Sequence, residues 1–512
     1  MKYAVDSGLM KEIDDYSVQV CGIPALELME RAAEEMVAVM KKRIAKTDRI
    51  LAVCGPGNNG GDGAAAGRIL YSQGYHAAIL FIGEENKLSA SMKAQLEKAG
   101  NLGVPIENSN KLREYNIIID AIFGVGLARD VSGVYEAVIQ EINQAENIVF
   151  AADMPSGISA DSGKIMKTAV RADYTVTFGH MKQGLLLYPG ADYAGEVTVA
   201  DIGFPEEATA KACPDAFYYG KEDLGLLPAR RNYSNKGTYG KVLIIAGSRG
   251  MSGAAFLSAK AAYRTGAGLV KVVTSEANRI IIQTSLPEAL FSCYDEEGLT
   301  FDERQQKLLS DLRWASMVIA GPGLGQSETA QELVETVVRR AEIPVILDAD
   351  AINILANRIE GATMEERLNS LASLLRERTI LTPHLMELSR LTGSPVSRLA
   401  DNLIDTARQC SYNNKLIYAI KDARSIVAQQ GRNYINVSGN NGMATGGSGD
   451  VLTGIIGALI AQGMEAYEAA CLGVYIHGLA GDAAAMEKGP WSTMASDIVN
   501  SIENVINTRG KA

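Results

Sequence analysis

Apolar residues fall at helical spacing in two stretches near the N-terminus, which predicts two helices over residues 9–42 separated by Gly22-Ile23-Pro24. In the second, Leu26, Met29, Ala33, Met36 and Val37 share one face. A continuous apolar run follows, Ile50-Leu51-Ala52-Val53-Cys54, and enters a glycine-rich stretch from Gly55 to Gly63. Such a run bounded by turn residues reads as a buried strand. The stretch reads as a loop, with a helix expected over Ala64–Gln73. Similar strands are predicted at His76–Ile82, Ile117–Ala121, Ile148–Ala152 and Tyr174–Phe178. Buried strands alternating with helices predict an α/β fold with a Rossmann-like doubly wound sheet. Ligands of such sheets gather at the carboxyl ends of the strands, where the glycine-rich stretch, Asp120 and Asp153 all fall.

The pattern breaks between about Phe204 and Lys236, a segment holding Pro205, Pro214 and Pro228 with little periodicity. It reads as a linker with the boundary near 220, giving domains over 1–215 and 224–512. A second α/β series then begins with the strand Lys241–Gly247 and a small-residue helix over Ala254–Thr265. Further strands are predicted at Leu269–Thr274, Met317–Ala320, Pro344–Leu347, Thr379–Leu381 and Ile417–Ile420. The last four end in GPGLG, DAD, TPH and KDARS. The two halves share no repeat period.

Length and composition agree with this division. A chain of 512 residues exceeds one ordinary core, and 47% hydrophobic with 21% charged residues is a globular balance. A net charge of −11 argues against nucleic acid or an anionic membrane as a main partner. None of the six cysteines forms a C-x-x-C pair, so neither a zinc site nor a disulfide framework is expected. The first residues carry no signal-peptide core, and runs such as Val451–Ala461 are too short to span a bilayer. A cytoplasmic, reducing setting is expected.

Two stretches carry candidate chemistry. Gly446-Gly447-Ser448-Gly449-Asp450 precedes an apolar helical pattern. Glycines at a helix start let several backbone N–H groups converge on an anion, and Asp450 then stands in the first turn, placed to take a proton from a hydroxyl that attacks a phosphoryl group. The plainer reading is a turn with an Asp cap; the compact motif before a helix favours phosphate chemistry. In the other half, Asn58-Asn59-Gly60-Gly61-Asp62-Gly63 brings amide oxygens, a carboxylate and N–H groups together, which suits a diphosphate or a hard cation. Helix capping is the favoured reading for Asp348 and Asp350. Glu387 reads equally as a solvated helix residue or as holding Mg²⁺ through water.

These residues carry a resemblance. NKGTYGKVLIIAGSRGMSGAAFLSAKAAYRTGAGLVKVVT, AGPGLG, LDADAINIL, LTPHLMEL and TGGSGDVLTG resemble, in order, the motifs of the nucleotide-dependent NAD(P)H-hydrate dehydratases, which have a ribokinase-like fold. GIPALELMERA, CGPGNNGGDG, DAIFGVGLARDVSG, DMPSGISADSG and TFGHMKQGLLLYPG resemble NAD(P)H-hydrate epimerases. Together they cover nearly the whole chain, as in bifunctional hydrate-repair enzymes. The resemblance implies that the N-terminal domain interconverts R and S hydrates of NADH and NADPH. The C-terminal domain would dehydrate the S form with ADP, giving AMP and phosphate.

It also implies site residues. Asp450 is the expected catalytic base of dehydration, with Ala254, Gly323 and His384 beside it on the hydrate. Lys421, Asp422, Ala423, Arg424, Ser425 and Gly449 would hold the nucleotide, with Mg²⁺. In the epimerase half, Asp153 is the acid or base and Lys182 its electrostatic partner, although a solvated surface lysine is an equal reading. The hydrate would meet Asn58, Asn59, Gly60, Gly61, Asp62 and Asp153, and the loop Gly124, Val125, Gly126, Leu127, Ala128, Arg129 and Asp130. The family's potassium ligands fall on Asn59, Asp120 and Ser156. A homo-oligomer is expected. The chain departs from the family pattern at Asn235, often His, at Leu385-Met386, often Pro-Gly, and at Lys421-Asp422 with Ser425, often Lys-Gly with a later Thr. These departures touch nucleotide preference more than the reaction. Two other readings remain open: a small-molecule kinase acting on a hydroxymethyl heterocycle, and a non-catalytic binding role for the N-terminal half.

Overall fold

In the computed structural model, residues 1–107, 111–295 and 299–508 are described. The apolar runs of the N-terminal half become a seven-stranded parallel sheet. Its order is Ile106–Glu107, His76–Phe81, Arg49–Cys54, Ile117–Ala121, Ile148–Ala152, Tyr174–Phe178 and Glu196–Ala200. Counted along the chain this is 3-2-1-4-5-6-7, so the direction of winding reverses between Arg49–Cys54 and Ile117–Ala121. The loops after these two strands diverge there and leave a crevice. Apolar residues cover both faces of the sheet, which explains why its strands read as unbroken apolar runs. The paired helices are Ser7–Gln19 and Ala25–Met40.

The glycine-rich stretch differs from the loop expected. The helix after Arg49–Cys54 starts at Asn58 and runs to Ser72, so Asn58 to Gly63 form its first turns. Close packing is the reason. A Cβ at Gly60 would lie 1.9 Å from the Gly55 carbonyl oxygen, and one at Gly63 would lie 2.3 Å from the Ala121 Cβ. The glycines let a helix sit against the strand tips; they do not break it.

The segment expected as a linker also carries structure. Pro205 stands at the N-cap of the Glu206–Ala212 helix, with Glu206 and Glu207 favourably placed in its first turn, and Ala216–Tyr218 is a strand. The chain divides into two compact units, Tyr3–Ala216 and Phe217–Ala512 with Met1–Lys2.

In the second unit seven parallel strands run in the order Leu290–Cys293, Leu269–Thr274, Lys241–Ile245, Met317–Ala320, Val345–Leu347, Thr379–Leu381 and Ile417–Ile420. Ile426–Gln429 and Arg432–Ile435 extend the sheet antiparallel. This is the α/β half for which a ribokinase-like fold is expected. Its helices Ser252–Arg264 and Ser448–Ala461 lie side by side because Gly454 has no side chain: a Cβ there would fall 2.2 Å from the Ser258 carbonyl oxygen. The Ala466–Lys488 helix is long and apolar enough to cross a membrane by length and composition. Most of it is buried in the core of this unit, which accounts for that composition.

Candidate functional site

Three adjacent strand tips build the C-terminal site. Val345–Leu347 ends in Asp348, Thr379–Leu381 in Thr382-Pro383-His384, and Ile417–Ile420 in Lys421. Asp348 occupies a helix N-cap position but makes no capping bond, contrary to the capping reading. Its Oδ1 instead accepts from Thr382 Oγ1 and from Lys421 Nζ, each at 2.7 Å. Burial acts to lower the Lys421 pKa, but Asp348, Glu387 and, behind them, Asp450 outweigh it and raise it. Lys421 therefore stays a cation.

The Ser448–Ala461 helix points its amino end at this cluster, with Gly447 in the left-handed region at φ 90°. A Cβ on Gly449 would lie 3.3 Å from Lys421 Nζ. Asp450 stands in the first turn, and burial, followed by the nearby Asp348 carboxylate, pushes its pKa up to about 7. A carboxylate poised there can take or give a proton near neutral pH. Asp350 caps nothing either: its Oδ2 accepts from the Gly325 N–H at 2.7 Å and holds the GPGLG loop. Ala254 and Gly323 face each other, since a Cβ on Gly323 would sit 2.8 Å from that of Ala254.

His384 caps the Leu385–Thr392 helix. Its Nδ1 accepts from the N–H groups of Met386 and Glu387, which places the proton on Nε2, 3.3 Å from Glu387 Oε1. Glu387 is 3% exposed, so the solvated reading fails. Burial raises its pKa and lowers that of His384. Asp422 and Ala423 are exposed on the turn after Lys421, and Arg424 and Ser425 are half-buried there.

In the N-terminal unit, Asp153 follows the Ile148–Ala152 strand with φ at 65°, a conformation that side chains other than glycine seldom adopt and that tends to mark functional positions. Its Oδ1 accepts from Lys182 Nζ at 2.5 Å and from Thr177 Oγ1 and the Phe178 N–H at 3.1 Å. Lys182 is 1% exposed, so it is no surface lysine. Ala4 and Val5 pair with Met181 and Lys182 and fix its backbone. Asp153 and Lys182 open onto a cavity of about 1020 Å³ that Asp62, Asp14, Asn58 and Asn59 also line. Burial, then the Asp153 and Asp14 carboxylates, hold Asp62 well above the usual carboxylate range. The cavity thus joins a proton-holding carboxyl to an ion pair.

Asp120 is fully buried, and its oxygens accept from the Ser156 N–H at 2.7 Å and the Ser156 hydroxyl at 2.6 Å. Burial pushes Asp120 up to about 6 against those bonds. Asn59 lies against Gly124, and its Nδ2 is buried without a partner. Turned about its amide, Asn59 would put an oxygen at that position. Amide, hydroxyl and carboxylate oxygens with one formal charge fit a hard monovalent cation. Gly124, Val125, Gly126, Leu127, Ala128 and Arg129 line the cavity mouth, and Asp130 follows them on the surface.

Residues 242–504 match the family model described as NAD(P)H-hydrate dehydratase, and residues 25–184 match the YjeF-related protein N-terminus. The bifunctional NAD(P)H-hydrate repair enzyme Nnr of Thermofilum pendens is 35% identical over 97% of this chain and 95% of its own. That of Coxiella burnetii is 35% identical over 97% of this chain and 98% of its own. The chain belongs to the bifunctional NAD(P)H-hydrate repair enzyme family. Among solved structures, an ADP/ATP-dependent NAD(P)H-hydrate dehydratase from Bacillus subtilis, co-crystallized with ATP and Mg²⁺, is 29% identical over 57% of this chain and 98% of that chain, with a TM-score of 0.48.

Sequence reading missed His477, buried beneath the helix start with Nε2 3.2 Å from Ser448 Oγ and its pKa pushed down to about 4 by burial. A lone His inside an apolar helix gives no local signal. It also missed Thr382 as the partner that aims Asp348.

Proposed function

We propose that this hydrate-repair protein carries two activities, one in each unit. Residues 1–215 would interconvert the R and S hydrates of NADH and NADPH, and residues 224–512 would dehydrate the S form with ADP. The observation that carries the second assignment is Asp450, poised near neutrality at a helix start beside Lys421. Hydroxide is a poor leaving group, and phosphorylation makes its loss feasible. Asp450 takes the proton from the hydrate hydroxyl as its oxygen forms a bond to the terminal phosphorus of ADP and the bridging P–O bond breaks, releasing AMP. The Gly446–Gly449 amides and the Lys421 ammonium stabilise the transferring phosphoryl. The C–O bond then breaks, phosphate leaves, and a proton lost from the adjacent ring carbon restores the double bond.

Mg²⁺ belongs with the nucleotide in this reading. Among the described residues no three His, Cys, Asp or Glu side chains form a metal cage, and Glu387 already spends its oxygens on the His384 N–H and ring. Mg²⁺ commonly binds through substrate phosphates with few protein ligands. Potassium, held by Asn59, Asp120 and Ser156, would supply a fixed positive charge beside the hydrate diphosphate. In the epimerase cavity Asp153 moves the proton, and Lys182 holds its carboxyl group in place. Among the described residues no two cysteines form a disulfide, which favours a reducing, cytoplasmic setting. A homo-oligomer belongs to this reading, and the exposed Met486, Trp491 and Met494 offer apolar surface for it.

The deciding experiment mixes the purified protein with R or S hydrate, with and without ADP or ATP, and follows NAD(P)H absorbance. S hydrate without a nucleotide should yield no NAD(P)H, and ADP should restore it faster than ATP. R hydrate should follow after a lag. Accumulation of a stable phosphorylated product would point instead to a kinase.

A further inference from the structure

A second cavity of about 730 Å³ adjoins the epimerase cavity, and the chemistry above leaves it unused. Pro56, Phe123, Leu127 and Arg129 line both, so the two meet around the glycine-rich turn and the loop after Ile117–Ala121. The second cavity lies over the carboxyl end of His76–Phe81, whose Leu80 and Phe81 line it.

The sheet order gives this placement meaning. In a 3-2-1-4-5-6 sheet a dinucleotide lies across the reversal point, with one nucleotide on each side and its diphosphate at the helix start between them. The first cavity reaches Asp153 and Phe178, after the fifth strand and at the end of the sixth. The second sits on the other side, over the second strand. A dinucleotide whose reacting ring stands by Asp153 has its remaining nucleotide to place, and this is the cavity on its path.

The walls suit a purine. The Phe123 and Tyr135 rings are 4.9 Å apart at 56°, both half-buried, and give an aromatic surface. Gly83 makes room for it: with φ at 127°, its Cβ would lie 2.6 Å from Tyr135 Oη. The next residue is Glu84, whose Oε1 accepts from Lys87 Nζ at 2.6 Å. Both side chains are exposed and line the cavity. A carboxylate at the end of the second strand of such a sheet accepts a ribose 2′-hydroxyl, whereas a basic side chain there accommodates a 2′-phosphate. Glu84 stands nearer the strand end than Lys87, and it repels a dianion.

We propose that this cavity holds the adenosine half of the hydrated dinucleotide, and that Glu84, steered by Lys87, reads the ribose 2′ position and favours NADH hydrate over NADPH hydrate. The proposal rests on the epimerase reading of the N-terminal unit.

The test measures kcat/KM for epimerisation of both hydrates by the full chain. The unsubstituted protein should favour NADH hydrate. Glu84→Gln should bring the ratio toward one, and Glu84→Lys should shift it by roughly tenfold or more toward NADPH hydrate, about 1.4 kcal/mol. The exposed position lets both variants fold. A ratio unchanged within about twofold across the three proteins, or an initial preference for NADPH hydrate, overturns the 2′ reading. The hydrate of reduced nicotinamide mononucleotide, which lacks adenosine, should be a substrate poorer by roughly tenfold or more, and parity with the dinucleotide overturns the placement. Absence of all epimerisation overturns the underlying reading as well, and is distinct because no ratio then exists.

Discussion

Lys182 donates to Asp153 across 2.5 Å with its side chain almost wholly removed from solvent. Taking one member of a buried pair away leaves the other uncompensated, at a cost of about 3–5 kcal/mol. Lys182→Met and Asp153→Asn should each lower the thermal midpoint of the N-terminal unit and abolish epimerisation. The double variant should be less destabilised than the sum of the two. Calorimetry on the four proteins checks this, and simple additivity would deny the coupling.

Asp450 titrates at about 7, so dehydration of S hydrate should rise as pH increases toward that value and then level off. Asp450→Asn should bind ligand yet lose nearly all turnover. Stability runs the other way. A carboxyl whose folded pKa is raised contributes stability that is complete below about 3.8, its ordinary value, and lost as pH rises through about 7. Asp450→Asn should therefore melt higher than the parent at pH 8, with a smaller gain at pH 5. Equal gains at both would show that the group is not held near neutrality.

Protonating Asp120 removes the charge from its oxygen set, and burial holds that group at about 6. Potassium activation of epimerisation should weaken below that pH, approaching roughly tenfold per pH unit in the concentration required. Asp120→Ala should lose the activation while ADP-dependent dehydration of pure S hydrate continues. Equal epimerisation in potassium and tetramethylammonium salts would mean that Asn59, Asp120 and Ser156 are only structural.

Gly454→Ala would drive a methyl group to 2.2 Å from the Ser258 carbonyl oxygen. The two helices must part, at a cost of about 1–3 kcal/mol. Dehydration should suffer with stability, because the displaced helix carries Asp450. A neutral thermal midpoint with full dehydration would show that the approach is unimportant.

How far the sequence foretold these sites depended on how local the cause was. Asp153 was placed because apolar runs mark the strands and such sheets gather ligands at their carboxyl ends; Asp450 was placed by the glycine-rich motif before a helix, and Lys421 and His384 by the family resemblance. Lys182 was ambiguous because its burial depends on a two-residue strand that pairs with Ala4 and Val5, far away in the chain. Asp348 was misread as a cap because Thr382 and Lys421 reach it through neighbouring strands, and strand order is not a local pattern. Asn58 to Gly63 read as a loop because glycine is a poor helix former, a preference that packing against Gly55 and Ala121 overrides.

One carboxylate, that of Asp348, ties together the tips of three successive strands. Successive side chains of a strand point to opposite faces, so gaining or losing a single residue within Val345–Leu347 would turn this group away from both Thr382 and Lys421. Strand length is consequently a fixed dimension of the phosphate-handling corner. The turn that follows Lys421 is under no such restriction, and replacing or lengthening it is the route by which this frame can acquire a different nucleotide while keeping the Asp348–Lys421 pair intact.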